Sequence, residues 1–321
     1  NYEGQLAHPE AGFASGPVQI PGIPVADRVQ NGHLHICAIA SEQVFCWGSN
    51  DQGQVLPGAE TNVRSPRRVP AAGARALALG LARSCAALPG GRVVCWGSDV
   101  HGVVSGAGRL AGSLPAGVSV EHLASTEVSV CAGLSDGTIR CWGGNGHGQL
   151  GDGGFGDRST PAPVPGVSGA TGLAAGFAHT CAQRDDDTVL CWGSDSLGQL
   201  GRGGRAESTP VPVEVLSVTN AVQVRNAVTS SCTLSSTGRL WCWGRGMFGQ
   251  LGPSHAGTHG LPELLPEVAG VTALAGSYLS ICTGDSSGRV RCWGNDFDTG
   301  SIFSGIKDLA CGHAHTCVAD G

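Results

Sequence analysis

Residues 172–203 have the sequence GLAAGFAHTCAQRDDDTVLCWGSDSLGQLGRG, and this stretch contains the unit from which the whole chain is built. Its centre is Cys191-Trp192-Gly193, a tripeptide that occurs six times at intervals of 46 to 51 residues. The copies occupy residues 46–48, 95–97, 141–143, 191–193, 242–244 and 292–294. A period near 50 with several short β runs per repeat is typical of the blades of a β-propeller.

Within a unit, the local signals are those of a β-hairpin. Residues 130–134 and 138–142 are two short β runs that flank Ser135-Asp136-Gly137, and glycine supplies the positive φ angle of a three-residue loop. Tight connections are predicted for the Gly-Gln-Leu-Gly segments at 148–151, 198–201 and 249–252. Edge strands, which tolerate a missing N–H, are predicted for the proline-rich stretches at 161–165, 210–212 and 262–266. The fold class is therefore all-β.

Composition narrows the class of protein. Glycine accounts for 53 of the 321 residues, yet 41% of the chain is hydrophobic, which is too apolar for a disordered, highly charged chain. No apolar run reaches the ~18 residues that a membrane-spanning helix needs. The formal net charge is −6, whereas proteins that bind phosphate backbones are basic. The composition predicts a soluble, turn-rich β protein and argues against nucleic-acid binding.

The 14 cysteines give the main indication of cellular location. Twelve form pairs nine or ten residues apart within the repeats: Cys37 with Cys46, Cys85 with Cys95, Cys131 with Cys141, Cys181 with Cys191, Cys232 with Cys242 and Cys282 with Cys292. A three-residue hairpin loop places the two members of a pair opposite each other, within reach of a disulfide. The alternatives are buried free thiols and a metal site, although this spacing does not resemble zinc ligation. One disulfide per hairpin indicates an oxidising compartment: outside the cell, at its surface or in a periplasm.

The repeat continues in register through both ends of the chain. Residues 1–6 match the segment that follows a Cys-Trp-Gly tripeptide, and residues 309–321 match the segment that precedes one. We therefore expect a single domain, 1–321, of seven repeats with about one strand lacking in the seventh. Either the sequence is a piece of a longer chain, or a strand from another molecule completes this repeat. Cys311 and Cys317 either bond each other, or Cys317 pairs with a residue beyond Gly321.

These motifs resemble the regulator of chromosome condensation repeat family. The resemblance rests on Cys46-Trp47-Gly48-Ser49-Asn50, on Trp142-Gly143-Gly144-Asn145 with residues 148–153, and on residues 175–181. It implies a seven-bladed β-propeller of four-stranded blades around a central channel. It also implies that the histidines that stand before repeat cysteines, such as His179, make hydrogen bonds within their hairpins.

The family that this chain resembles includes exchange factors for a small GTPase, ubiquitin-ligase accessory domains, a plant ultraviolet photoreceptor and secreted β-lactamase inhibitors. The fold alone does not choose among these functions. The ~50-residue repeats contain neither the inserted β-wedge nor the basic arm of the exchange factors. Six of the seven tryptophans occupy the repeat position, so the tryptophan and arginine cluster of the photoreceptor is not matched.

The candidate binding residues are those that the repeat does not require. Large apolar or aromatic side chains of this kind are Trp241, Met247, Phe248, Phe155 and Phe297, in a chain with few aromatic residues. On propeller loops, such side chains serve as anchors for protein partners. No nucleophile–base pattern, phosphate-binding loop or metal-ligand spacing is present in the sequence, so we predict no enzyme activity, cofactor or metal.

The sequence thus predicts a secreted or cell-surface propeller that binds a protein partner through one loop face. Two alternatives stay open. The first is a secreted enzyme inhibitor similar to the β-lactamase-inhibiting members. The second is a structural unit of a surface filament or adhesin that accepts a neighbour's strand, by strand exchange or self-association, at the open seventh repeat. An intracellular guanine-nucleotide exchange factor is least favoured because of the cysteines.

Overall fold

The hairpin of each repeat is set by its short turn. In the third repeat, Asp136 Oδ1 accepts hydrogen bonds from the Thr138 N–H at 2.9 Å and from the Thr138 hydroxyl at 2.6 Å. Gly137 has a φ of 76°, in the left-handed region that glycine favours. The register of the two strands then places Cys131 directly opposite Cys141. Local turn chemistry therefore determines which cysteines face each other.

The computed structural model describes residues 3–7, 17–107, 110, 114–204, 207–252, 257–265, 268, 270–276, 280–294, 302–303, 305–312 and 315–320. Blade 1 comprises β1 (Arg28–Asn31), β2 (His35–Ala40), β3 (Gln43–Ser49) and β4 (Asn62–Val69). Blade 2 comprises β5 (Ala76–Leu79), β6 (Arg83–Leu88) and β7 (Arg92–Gly97). Blade 3 comprises β8 (Val120–Ser125), β9 (Ser129–Leu134), β10 (Ile139–Gly143) and β11 (Arg158–Pro163).

The second half of the chain repeats this arrangement. Blade 4 comprises β12 (Ala170–Ala175), β13 (His179–Arg184), β14 (Val189–Ser194) and β15 (Ser208–Glu214). Blade 5 comprises β16 (Ala221–Asn226), β17 (Ser230–Ser235), β18 (Leu240–Arg245) and β19 (Thr258–Leu264). Blade 6 comprises β20 (Val271–Gly276), β21 (Ser280–Asp285) and β22 (Val290–Gly294), and a two-stranded sheet follows with β23 (Ile306–Cys311) and β24 (Thr316–Asp320).

The first strands of successive sheets stand side by side around a central channel. Strand β23 contacts both β20 and β1, so the two-stranded sheet lies between blade 6 and blade 1. Two hydrogen bonds join it to blade 1: Val29 N–H donates to Asp308 Oδ2 at 2.9 Å, and Asn31 Nδ2 donates to the Ala310 carbonyl at 3.0 Å. The ring of inner strands is closed by these contacts.

The prediction of seven blades with an incomplete seventh is wrong in its count. The structure has six blades of three or four strands, and the seventh repeat supplies only the two-stranded sheet. The reason is that the described part of the chain contains no third strand with a Cys-Trp-Gly tripeptide to pair with β24.

Among the described residues, blades 2 and 6 have three strands each and not the predicted four. After β7 the chain forms a 3-10 turn at Val100–Gly102 and the short helix α1 (Val103–Ala107) in place of a Gly-Gln-Leu-Gly connection. Helix α1 packs on β7, β10 and β11, where a fourth strand of blade 2 would otherwise lead the chain to blade 3. A second 3-10 turn, Pro89–Gly91, joins β6 to β7.

The core lies between the blades, and the repeat tryptophans fill it. Trp192 and Trp243 are fully buried. The Trp192 indole N–H donates to the Gln149 carbonyl of the preceding blade at 2.9 Å, and Trp243 donates to the Gln199 carbonyl at 2.7 Å. The tryptophans at 47, 96, 142, 192 and 243 each donate an indole N–H to a main-chain carbonyl of the segment that precedes their blade, and these bonds join neighbouring blades. Among the described residues, no helix has the length and apolarity needed to cross a membrane.

Candidate protein-binding face

Antiparallel order puts two loops of every four-stranded blade on the same side of the disc, and the segment that follows the third strand of blade 2 begins on that side too. Neighbouring strands run in opposite directions, so the turn between strands one and two and the connection between strands three and four emerge together. We call this side the loop face. The hairpin turns between strands two and three, and the crossovers to the next blade, lie on the opposite face.

The turns between strands one and two meet around the channel mouth. The Glu127 N–H donates to the Phe177 carbonyl at 3.1 Å, and the Phe177 N–H donates to the Val228 carbonyl at 3.0 Å. The same residues line a cavity of about 300 Å³ together with Leu81 and glycines from neighbouring turns. In the described turns, this hydrogen-bonded rim presents the apolar side chains of Leu81, Phe177 and Val228 beside the carboxylate of Glu127 and the imidazole of His33.

The connections between strands three and four are held rigidly. In each Gly-Gln-Leu-Gly segment, the glutamine side chain caps its own loop: Gln149 Oε1 accepts from the His147 N–H at 2.9 Å, and Gln250 Oε1 accepts from the Phe248 N–H at 2.8 Å. The glutamine carbonyl of the segment at 148–151 receives the indole N–H of the next blade. Rigid loops lose little conformational entropy when they bind a partner.

Three of the five predicted anchors lie on the loop face. Met247 is 66% exposed and Phe155 is 51% exposed. Phe248 is also exposed, and the Arg245 guanidinium lies over its ring at 5.3 Å from the ring centre. These three residues belong to the connections between strands three and four of blades 3 and 5.

The other two predicted anchors do not join them. Trp241 lies in β18, opposite Thr233, with its side chain half-buried and its indole nitrogen enclosed in the sheet. It is part of the blade and does not reach the loop face. Phe297 lies outside the described residues.

Sequence reasoning missed the apolar side chains at the channel mouth. Phe177 is 41% exposed and Leu81 is 43% exposed, and both occupy the turn between strands one and two. The available signal was positional: each stands two residues before the first residue of its second strand, His179 or Arg83. Phe177 belongs to the repeat motif at 175–181, and the motif itself carries no signal of its exposure.

Carboxylates of the loop face are fixed by main-chain and ionic contacts. Asp195 pairs with Arg202 at 2.7 Å, and Asp152 pairs with Arg158 at 2.9 Å. Asp157 accepts from the Asn145 N–H and pairs with His101 at 2.6 Å, and these contacts lower the pKa of its carboxyl.

Asp99 is a further ionised carboxylate of this face. Burial raises the pKa of Asp99, but hydrogen bonds from Ser105 and from the Val104 N–H, with the nearby Arg83 charge, lower it below its usual value. Asp99 and Asp157 therefore stay negatively charged in mildly acidic as well as neutral solution.

The repeat histidines join neighbouring blades, which corrects the expectation of bonds within each hairpin. His35 Nε2 lies 2.9 Å from the Ser84 hydroxyl of blade 2, and His179 Nε2 lies 3.0 Å from the Ser231 hydroxyl of blade 5. Burial lowers the pKa of both imidazoles to about 3, so they are neutral. The hydroxyls in turn donate to the carbonyls of Gln54 and Gln199.

Arg83 stands at the histidine position of blade 2 and has no such serine to bond, because Val130 occupies that place in blade 3. Its Nε and Nη1 are buried without a hydrogen-bond partner among the described residues. Burial lowers the pKa of Arg83 to about 10, while the charges of Glu127 and Asp99 act in the opposite direction. The junction between blades 2 and 3 therefore departs from the repeat.

The six cysteine pairs form disulfides across the hairpins, with Cα–Cα distances of 4.0 to 4.2 Å. The bonds join Cys37 to Cys46, Cys85 to Cys95, Cys131 to Cys141, Cys181 to Cys191, Cys232 to Cys242 and Cys282 to Cys292. All six are the pairs that the spacing within the repeats predicts. In each hairpin the two bonded cysteines are direct partners in the strand register, as Cys282 and Cys292 are in blade 6.

The last two cysteines do not follow this pattern. Cys311 and Cys317 are not bonded to each other, so the first of their two expected pairings is not formed. In the register of β23 and β24, Cys311 lies opposite Thr316 and Cys317 lies opposite Ala310. Cys317 thus occupies the position that Cys181 has in β13, and the strand that would face it is not among the described residues.

Six disulfide-bonded sheets around a channel define a disulfide-rich β-propeller. Residues 136–183 and 186–234 match the model of the Regulator of chromosome condensation (RCC1) repeat, and residues 170–199 match a second model of that repeat. This chain is an RCC1-repeat β-propeller, as the motifs of its sequence predict.

Solved structures share this fold at low sequence identity. Human WBSCR16 has a TM-score of 0.82 and 18% identity, over 98% of this chain and 93% of that chain. Prp20p from Saccharomyces cerevisiae has a TM-score of 0.75 and 19% identity, over 91% and 81% of the two chains. The CRINKLY WD40 ectodomain of the Arabidopsis thaliana receptor kinase ACR4 has a TM-score of 0.57 and 17% identity, over 91% and 92%. No curated protein matches the chain by sequence.

Proposed function

We propose that this chain is a non-enzymatic module that binds a protein partner through its loop face. The observation that carries the proposal is the exposure of Phe155, Phe177, Met247 and Phe248 on one side of a rigid disc. Exposed apolar side chains that cluster on one surface mark sites of protein association. Structures of similar fold also bind proteins, since yeast Prp20p is described with Gsp1p and histones, and yeast RCC1 with Kap60.

We propose that the protein acts outside the cell or at its surface. Six disulfides within one chain indicate a non-reducing compartment, because cytosolic thiols are kept reduced. A propeller of similar fold forms the ectodomain of the receptor kinase ACR4, which supports a location of this kind.

A narrower form of this function is inhibition of a secreted enzyme. The exposed pair Met247-Phe248 stands on a capped, rigid connection, and such a projection can enter the cleft of a partner enzyme. Inhibition of a hydrolase from the same medium, lost when Met247→Ser and Phe248→Ser are combined, would support it.

A second candidate is a structural unit of a surface assembly. Within the described part of the chain, β24 pairs with β23 alone, and its other edge can accept a strand from a neighbouring molecule. Polymerisation that rises with protein concentration and stops when β24 receives Val318→Pro would support this candidate over the first.

The test of the binding function compares the two faces of the disc. The wild-type protein, a loop-face variant that combines Phe177→Ser with Met247→Ser, and a matched opposite-face variant (Leu216→Ser) are immobilised and exposed to the secreted and surface proteins of the native host. Leu216 is 46% exposed, similar to Phe177, so the two sites present comparable apolar surface. We expect one protein to bind the wild type and Leu216→Ser but not the loop-face variant.

The purified candidate is then titrated calorimetrically against all three proteins. We expect binding to weaken by about tenfold or more in the loop-face variant, because central apolar anchors each contribute more than about 1 kcal/mol. Equal affinity for the loop-face variant and the wild type would refute binding through the loop face.

A further inference from the structure

The innermost strands of the seven sheets form a ring inside the channel where they end. This ring, which we call the channel waist, consists of the last residue of each of β1, β5, β8, β12, β16, β20 and β23. All of its residues line two cavities, one on each side of the waist. The cavity on the side of the loop face is the channel mouth, with a volume of about 300 Å³, and the inner cavity has a volume of about 200 Å³.

The two cavities differ in their charged groups. The inner cavity is lined by acidic and basic side chains: Arg28, Glu121, His122, Arg225 and Asp308. Among the described residues that line the mouth, the only carboxylate is Glu127 and the only basic side chain is His33. Glu127 already interacts with the charge of the buried Arg83. A charged ligand would therefore lose its hydration in the mouth without gaining a free counter-ion.

The described walls of the mouth are apolar and come from separate blades. Leu81, Phe177 and Val228 stand on the turns of blades 2, 4 and 5. Main-chain hydrogen bonds join Phe177 to the turns on both sides of it, so the position of this aromatic wall is fixed. An apolar cavity of about 150 Å³ is enough to bind benzene. The mouth, at about 300 Å³, therefore has room for a bicyclic aromatic ring.

Two asparagines of the waist supply polar groups at the floor of the mouth. Asn31 and Asn226 are 8% and 7% exposed. The Asn31 Nδ2 donates to the Ala310 carbonyl at 3.0 Å. The Asn226 Nδ2 donates to the Ala174 carbonyl at 3.3 Å, so both amides are held by the preceding sheet. Their Oδ1 atoms are buried without a hydrogen-bond partner among the described residues, and a buried acceptor of this kind is unfavourable until a donor reaches it.

We propose that the channel mouth binds an uncharged aromatic small molecule that carries one N–H or O–H donor. Its ring would lie between Leu81, Phe177 and Val228, and its donor would face the asparagine oxygens of the waist. Apolar walls with a few polar groups at one end are typical of small-molecule sites. This site goes beyond the proposed binding of a protein partner, although both use Phe177.

The experiment measures the binding of four probes to the intact protein by ligand-observed NMR titration. The first probe is indole, and the second is N-methylindole, which lacks the N–H donor. The other two probes are tryptamine, which is a cation, and indoleacetate, which is an anion.

The variants change the mouth without changing the rest of the disc. Phe177→Ser removes the aromatic wall, and Ala175→Leu fills part of the mouth at the waist. Leucine suits this position because Leu79 occupies it in blade 2. The matched control is Phe248→Ser, since Phe248 is 40% exposed, about as much as Phe177, but does not line the mouth. Thermal unfolding verifies that each variant is folded.

We expect indole to bind at one site, and at least about fivefold more tightly than each of the other three probes. Phe177→Ser should weaken the binding of indole about tenfold, because an aromatic contact is lost. Ala175→Leu should abolish the binding, and Phe248→Ser should leave it unchanged.

Other results would overturn the proposal in distinguishable ways. Absence of saturable indole binding, or equal binding to Phe177→Ser, would refute the site. Tighter binding of tryptamine or indoleacetate would show that the mouth selects a charge. Equal binding of N-methylindole would show that the asparagines receive no hydrogen bond, and either result would overturn the assigned class of ligand. If indole does not bind while the capture of host proteins depends on Phe177, the protein-binding function stands and the small-molecule site is wrong.

Discussion

The buried histidines link the folding of this protein to pH. His35 and His179 bond serine hydroxyls of the next blade, and burial holds the pKa of each near 3 instead of 6.5. Below about pH 6.5 the unfolded chain binds a proton on each imidazole, while the folded chain does not until the pH approaches 3. The unfolded state therefore binds more protons in this window, and the stability present at neutral pH is lost as the pH falls.

We expect each of these histidines to lower the free energy of unfolding by about 1.4 kcal/mol per pH unit below about pH 6. His179→Gln should remove one such contribution and make the slope shallower by that amount, as measured by urea unfolding at a series of pH values. The exposed His147 provides the matched control, because His147→Gln should leave the slope unchanged. An unaltered slope in His179→Gln would mean that His179 is not kept neutral by the fold.

At the scale of single elements, the disulfide hairpin is the unit of stability. In blade 4, Cys181 of β13 and Cys191 of β14 are opposite in register, with their Cα atoms 4.1 Å apart. The bond closes a loop of about ten residues in the unfolded chain, which restricts that chain more than it changes the folded one.

Removal of this bond by combining Cys181→Ala with Cys191→Ala should lower the free energy of unfolding by about 2–3 kcal/mol. Guanidinium unfolding of the variant and the wild type measures the difference. In blade 5, the bond between Cys232 and Cys242 closes a loop of the same length, so Cys232→Ala with Cys242→Ala should cost a similar amount. A loss below about 1 kcal/mol in both variants would show that the hairpins are already ordered in the unfolded chain.

The sequence predicts these hairpins well because their signals are local. Asp136 and Gly137 fix a turn, and the turn fixes which residues face each other, so the cysteine pairs follow from spacing alone. The proline-rich strands β11 and β15 were also expected as edge strands. The fourth strand of blade 2 could not be judged in this way, because whether residues 100–107 pair with β7 or form α1 depends on how they pack against blade 3.

The candidate site was predicted less completely. Met247 and Phe248 depart from the repeat and were found, whereas Phe177 stands within a repeat motif and its exposure depends on how the turns meet at the channel mouth. Trp241 lies within β18 and apart from these side chains, and its predicted role in binding stays a prediction. Exposure is set by the assembled ring, which no single repeat encodes.

At the scale of the whole molecule, the ring closes through non-covalent contacts, whereas a disulfide bond closes the hairpin within each blade. Strand β23 is joined to β1 by the hydrogen bonds from Val29 and Asn31, and no disulfide links one sheet to another among the described residues. Closure of the disc therefore depends on packing between blades, whereas each hairpin is held by its own bond.

The redox state of the whole chain tests the proposed location. In protein isolated from its own host without reductant, we expect six disulfides, so that reduction raises the intact mass by about two units per bond. Alkylation under denaturing conditions, before and after reduction, provides an independent count of thiols. Alkylation of all 14 cysteines in the unreduced protein would refute the oxidising compartment and with it the surface role.

The six hairpin disulfides also determine how the molecule responds to a pulling force. The two cysteines of each disulfide are nine or ten residues apart. When force unfolds a blade, the residues between them therefore cannot extend. An extended residue contributes about 3.4 Å, so roughly 30 Å of contour length per blade stays inaccessible until the bond is reduced. A propeller tethered in flow or between moving surfaces would thus extend in short steps, and every blade would keep its disulfide-closed hairpin.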